Sequence, residues 1–354
     1  MPRRTPVRWL AGAAAALLAA TVAACGASAA GGTAASGGMP TVTIMVGGID
    51  KQIYLPYQLA QGLGFYQKYG VNVQLSTEQA GGVGAEDAMA SGQVDLAGAW
   101  YVHTIDFQQA GKSVEDIVQL SGAPGEREMC YKGAGISSPA QWRGKSVGVT
   151  DIGSGTDDLT LYMAARYHLT TANFSRIAAG DGDTMIAALS HHKIVCGMTT
   201  QPTVTAIEKK GVGYSAFDLA SPAGVQKWLG GFWPTACVLA RTDWVNSHRA
   251  TAQKVVDALV ATMHWIATHS AAQIAAHLPA DFVSNALITR ADYVSALAAD
   301  KTQFLPDGMM PANGPATVLS VEKLAGKVKG TVNLAATYTK AFVVKANKLE
   351  GFTK

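Results

Sequence analysis

From position 41 onward the chain alternates between two hydrophobic periods. Val42-Thr43-Ile44-Met45-Val46 sets apolar side chains at every second position, the period of a half-buried strand, and Gly47-Gly48 closes it. Leu55, Leu59 and Leu63 then recur every four residues, which predicts a helix over 54–69 whose end is weakened by Gly62, Gly64 and Gly70. Val71-Asn72-Val73-Gln74-Leu75 returns to strict alternation, and a short helix over 84–91 leads to a strand over 94–98. Strands separated by helices of this length imply a parallel sheet with crossover helices.

The pattern restarts after Pro139. Strands are expected over 146–150, 175–179 and 194–198. Helices are expected over 156–168, over 184–191 with Met185, Ile186 and Leu189 inward, and over 202–210 with proline in the first turn, a favoured place for it. The longest helical pattern covers 247–269 and carries Val256, Leu259, Val260, Met263 and Ile266. The chain therefore reads as two α/β units in series followed by a helical tail.

The start of the chain obeys neither period. Arg3, Arg4 and Arg8 precede an apolar run from Trp9 to Ala20, and Val22-Ala23-Ala24-Cys25 follows with Gly26 behind. A basic start, a short apolar core and small residues before the cut describe a secretory signal, since a span of the ~30 Å bilayer core needs about 20 apolar residues. Small residues running directly into a cysteine resemble the bacterial lipoprotein signal, in which that cysteine is lipidated and becomes the new N-terminus. The expected boundaries are a signal over 1–25 with Cys25 lipidated and a flexible tether of Gly, Ala, Ser and Thr over 26–40. A diacylated cysteine holds a membrane through ~0.8 kcal/mol per buried methylene. Arg3-Arg4 leaves twin-arginine export open beside the general route.

Charge narrows the partners. Against 28 Lys and Arg stand 25 Asp and Glu, a formal +3. Removing the three signal arginines brings 28 to 25 and the net charge to zero. A mature chain without net charge has no electrostatic case for nucleic acid.

Several stretches, in order, resemble one family. Tyr54-Leu55-Pro56, Gly62-Leu63-Gly64-Phe65-Tyr66 and Gly70-Val71-Asn72-Val73 are similar to its first helix and second strand. Ala88-Met89-Ala90-Ser91-Gly92-Gln93-Val94-Asp95 is similar to its step into the third strand, and Trp142-Arg143-Gly144-Lys145-Ser146-Val147-Gly148-Val149 to the entry of its second lobe. Gly153-Ser154-Gly155-Thr156 and Ala187-Ala188-Leu189 follow at the expected intervals. Together they resemble the extracytoplasmic solute-binding proteins of ABC importers for nitrate, taurine and alkanesulfonates, a superfamily that includes pyrimidine-precursor binders and a fungal pyrimidine synthase.

That resemblance implies an α/β, two-lobed periplasmic-binding-protein type II fold with a double hinge crossing. Lobe 1 would comprise 41–129 plus 238–354 and lobe 2 130–237, with ligand held in the cleft between them. It also implies partners in the importer itself: permease transmembrane subunits with a separate ATPase, served by a monomeric receptor at the outer face of the cell membrane or in the periplasm. No cofactor and no metal are expected.

Candidate ligand contacts follow the same frame. Ser154, Gly155 and Thr156 stand between a strand and a helix, where free N–H groups stabilise an anion by ~0.3–1 kcal/mol; a plain helix cap explains the same residues. Trp100 and Tyr101 would stack on a ring or wall off an alkyl chain, with His103 beside them. Gly48 would let the backbone approach a ligand, and Gln52 or Lys51 would donate to it. Gln201 and Phe232 complete the set, the first as a polar contact and the second at the rim. An organic anion of the alkanesulfonate or taurine type is the first expectation, and a pyrimidine-like or aromatic ligand the alternative. A pyrimidine-synthase-like enzyme or a docking lipoprotein stands further back, because no phosphate loop, Gly-x-Ser-x-Gly elbow or His-Glu-x-x-His run occurs.

Three cysteines remain beyond Cys25. The implied topology sets Cys130 and Cys237 on the two crossings, so a Cys130–Cys237 disulfide is expected, with Cys196 a buried thiol. A Cys196–Cys237 pair stays open.

Overall fold

The computed structural model describes residues 38–78 and 82–352. The signal, Cys25 and most of the tether lie outside the described residues.

Two five-stranded sheets organise the chain. The first takes β1 (Thr41–Gly47), β2 (Asn72–Glu78), β3 (Leu96–Trp100), β4 (Val114–Gln119) and a late strand, and the second takes β5 (Glu126–Tyr131), β6 (Ser146–Val149), β7 (Ser175–Ala178), β8 (Cys196–Thr200) and β9 (Gly213–Asp218). The late strand is β10 (Ala236–Arg241), which returns to the first sheet. Strand orders are β2-β1-β3-β10-β4 and β7-β6-β8-β5-β9, so the two sheets repeat one plan. In each, three parallel strands stand beside one antiparallel strand, β10 or β5, delivered from the other half of the chain.

The two connections between the sheets run side by side. Trp233 N–H donates to Gly122 O at 3.0 Å, Thr235 N–H to Ser121 O at 3.1 Å, and Leu120 N–H to Ala236 O at 2.8 Å. Crossovers of this kind leave the carboxyl ends of β1 and β3 facing those of β6 and β8 across the junction.

Packing explains several sequence choices. All five residues of β3 are buried, the pattern of a strand covered on both faces. Gly98 in that strand lies under the ring of Tyr57, which a Cβ would meet at 2.9 Å, and the Tyr57 hydroxyl donates to Cys237 O at 2.7 Å. The expected helix over 54–69 is two pieces, Leu55–Gly62 and Phe65–Lys68, because Gly64 adopts φ +69° between them. The longest helix, Arg249–Thr268, buries Val256, Leu259, Val260, Met263 and Ile266 as its period implies. Among the described residues no helix is long and apolar enough to cross a membrane.

The disulfide differs from the expectation. Cys130 bonds Cys196, and Cys237 is a free, buried thiol whose pKa burial pushes up. Cys130 and Cys196 are direct partners in the antiparallel β5–β8 register, so their side chains share one face of the second sheet. Cys237 instead pairs in register with Ala99 and Gln119 in the first sheet. The crossings end before either cysteine, which is why Cys130 and Cys237 do not meet.

Candidate functional site

The loops at the facing strand ends build a polar junction. After β1 the chain turns at Gly48, φ +91°, and brings Lys51 back so that its Nζ donates to Gly47 O at 3.2 Å. The same Nζ reaches Asp181 Oδ2, on the loop after β7, at 3.5 Å. Asp181 Oδ1 accepts from the hydroxyls of Thr199 at 2.6 Å and Thr203 at 2.7 Å. Burial raises the pKa of this carboxyl, but Lys51, the two hydroxyls and the Gly182 N–H outweigh it and hold Asp181 below its ordinary value. Asp50, Lys51, Asp181, Gly182, Thr184 and Thr203 line a recess of about 300 Å³.

Gln52 ties the halves through the backbone, its N–H donating to Gln201 O at 3.0 Å. Its side chain is fully buried, with Nε2 donating to Tyr293 O at 3.0 Å and Oε1 left without a partner. Glu126, at the start of β5, is also buried with an unpartnered Oε2; burial raises its carboxyl to about 8 against the pull of Lys51, while Asp181 adds to the rise and Arg127 opposes it.

Trp100 ends β3 and sits over Gly155, where a Cβ would overlap its indole. The ring also meets Trp233 edge-on at 5.6 Å, and the Trp233 Nε1 is buried without a partner. Beneath the indole, Ser154 and Thr156 satisfy each other: their hydroxyls lie 2.8 Å apart, and Thr150 Oγ1 lies 3.1 and 2.9 Å from them. Ser154 caps the helix Gly155–Ala165. The helix entrance is therefore closed over by Trp100.

Of the residues singled out from sequence, Gly48, Gln52, Trp100, Ser154, Gly155 and Thr156 come to this junction. Gln201 does so through its carbonyl; its Oε1 accepts from Thr205 N–H and Oγ1 at 3.1 and 2.8 Å, the work of a helix cap. Tyr101 points elsewhere, its hydroxyl 2.5 Å from Thr337 Oγ1 and its ring edge-on to Tyr338. His103 lies between Glu86 and Asp106, on the helix Val102–Gln109. Phe232, 61% exposed, borders a separate recess of about 230 Å³ along the crossings, with Gly122, Val225 and Leu305. Asp181 and Glu126 were not foreseen. The sequence offers only Gly180-Asp181-Gly182 between a strand and a helix, a turn signal before it is anything else.

Comparison with known proteins gives the family and the fold. The chain belongs to the NMT1/THI5-like family, whose profile matches residues 52–273. It is similar to a solved protein from Bordetella bronchiseptica RB50, with 28% identity over 88% of this chain and 98% of that one at a TM-score of 0.81. The alkanesulfonate-binding protein SsuA from Xanthomonas axonopodis pv. citri, solved bound to MOPS, shares 16% identity over 84% of this chain and 98% of its own at 0.67. The periplasmic nitrate-binding protein NrtA from Synechocystis PCC 6803 shares 14% over 88% and 89% at 0.69. Those likenesses identify the periplasmic-binding-protein fold. No curated protein matches the sequence.

Proposed function

We propose that this protein is the solute-binding component of an ABC importer and acts by binding and closing rather than by catalysis. The observation that carries the reading is the junction itself: loops from two α/β halves, joined by paired crossings, meet through Lys51–Asp181 and Gln52–Gln201. A solute bound there would contact both halves at once and favour their closure. The crossings would be the pivot of that closure; because they end before β5 and before β10, lobe 2 would take 126–129 and lobe 1 would take 236–237, against the bounds expected at 129/130 and 237/238. Export through the signal, lipid on Cys25 and delivery to a membrane permease complete the assignment.

Lys51 supports a ligand with an anionic end. Lys51 meets Asp181 across the junction, and a sulfonate or carboxylate would take that partner's place. Trp100 and Trp233 would cover the organic part. A second reading, a nitrogen heterocycle such as a pyrimidine, is favoured by Gln52 Oε1, a buried acceptor without a donor, because a heterocycle can bring an N–H group to it.

A thermal-shift panel on the purified protein separates the two, with taurine, MOPS, nitrate, aromatic acids and pyrimidines. A ligand at a hundred times its dissociation constant adds ~2.7 kcal/mol, a shift of several degrees. A shift with sulfonates supports the anion reading, and one with pyrimidines alone the heterocycle. No shift with any solute counts against the receptor assignment.

A further inference from the structure

A second cluster, built from other residues, lies where the helices Val102–Gln109, Gly155–Ala165 and Gly314–Leu324 converge. We propose that His103, Asp106 and Asp158 form a site for a divalent cation of the zinc class, with Glu322 beside it, fastening the two halves together.

Donor atoms come first. One atom from each of His103, Asp106 and Asp158 lies within 4.8 Å of the others. His103 is buried, and both of its ring nitrogens face carboxylates: Nε2 lies 3.2 Å from Glu86 Oε1 and Nδ1 3.1 Å from Asp106 Oδ2. As the imidazolium it carries an N–H on each nitrogen and serves both, and a cation at Nδ1 would take the place of the proton that now lies between the ring and Asp106. Nε2 would keep Glu86 beside it, as metal-bound histidines keep a carboxylate behind them, and Asp106 would become a fellow ligand.

Glu322 is the independent observation. It is fully buried, neither oxygen has a hydrogen-bond partner, and the charged groups acting on it are Asp158, Asp106, Lys327 and His103. The carboxyl groups of Asp158, Asp106 and Glu322 act on the ammonium of Lys327, whose Nζ is 2.7 Å from Asp158 Oδ1. Burial raises Glu86 to about 8 and Glu322 to about 9, so a cation arriving here would displace protons from the carboxyls that take it up. An imidazole nitrogen with carboxylate oxygens suits zinc better than the oxygen-seeking magnesium or calcium. His103 and Asp106 belong to the first half and Asp158 to the second, so a shared cation would favour the closed arrangement.

The test is calorimetric titration of chelator-treated full-length protein with Zn2+, with Mg2+ as comparison. One Zn2+ per chain is expected, weakened at least tenfold by His103→Ala and by Asp158→Asn, and unchanged by His191→Ala. Lys327→Met removes the competing ammonium and no ligand, so it should tighten binding. That variant keeps the test decisive if the ligand substitutions fail to fold. Absence of zinc binding, binding unaltered by His103→Ala and Asp158→Asn, or weaker binding by Lys327→Met would overturn the site. No organic solute enters the measurement, so its failure leaves the receptor reading standing.

Discussion

Trp100 occupies the space that a side chain at position 155 would need, so the first half closes over the helix entrance of the second only because residue 155 is glycine. The contact joins the end of β3 to the start of the helix Gly155–Ala165 and is a direct seam between the halves. Substituting Gly155→Val should prop that seam open. We expect a folded protein with solute affinity reduced at least tenfold, and recovery in the Gly155→Val, Trp100→Ala double variant. A double-mutant cycle on dissociation constants checks it.

Lys51 and Asp181 form the polar counterpart of that seam. Removing one partner of a buried pair leaves the other uncompensated, at a cost of ~3–5 kcal/mol when burial is complete and less here, where Asp181 keeps 14% exposure. Asp181→Asn should therefore lower the denaturation midpoint of the free protein yet raise affinity for an anionic solute, because Lys51 loses its competitor. Lys51→Met should abolish anion binding. Urea unfolding and calorimetry read the two effects separately.

Glu126 gives the junction a pH dependence. Its carboxyl is raised from 4.5 to about 8, so the folded state holds a proton that the unfolded chain releases near 4.5. The stability it contributes is full below about pH 4.5 and is lost as pH rises toward 8, by at most ~1.4 kcal/mol per pH unit. Glu126→Gln should reduce the fall of the melting temperature over that window, leaving the part that Glu86 and Asp158 contribute. Melting curves between pH 5 and 8, an interval of about three units, test this.

The Cys130–Cys196 bond closes a loop with a sequence separation of 66. In the chain-entropy model its removal costs about 4 kcal/mol. The Cys130→Ser, Cys196→Ser protein should unfold at markedly lower denaturant, while Cys237→Ser should leave the bond intact. Equal stability of the double variant and the parent would contradict the assignment.

Much of this architecture was legible where local pattern and burial agree. The alternation of Val42–Val46 and Val71–Leu75 became β1 and β2, and the apolar stretches around Val147 and Met198 became β6 and β8. β5 was hidden because Glu126, Arg127 and Glu128 read as surface, yet Glu126 and Glu128 are buried. Trp100 and Gly155 were each recognisable as unusual; that they touch depends on how the two halves dock, which no local period encodes. The same holds for Lys51 and Asp181, whose partnership spans both halves, and for the cysteines, whose pairing depended on where each crossing ends and its strand begins.

Calorimetric titration of the purified protein with taurine, MOPS, nitrate and a pyrimidine tests the receptor reading. One saturable solute site per chain is expected, lost in Lys51→Met and weakened in Gly155→Val. No binding by any of these solutes, or binding untouched by both substitutions, would contradict it.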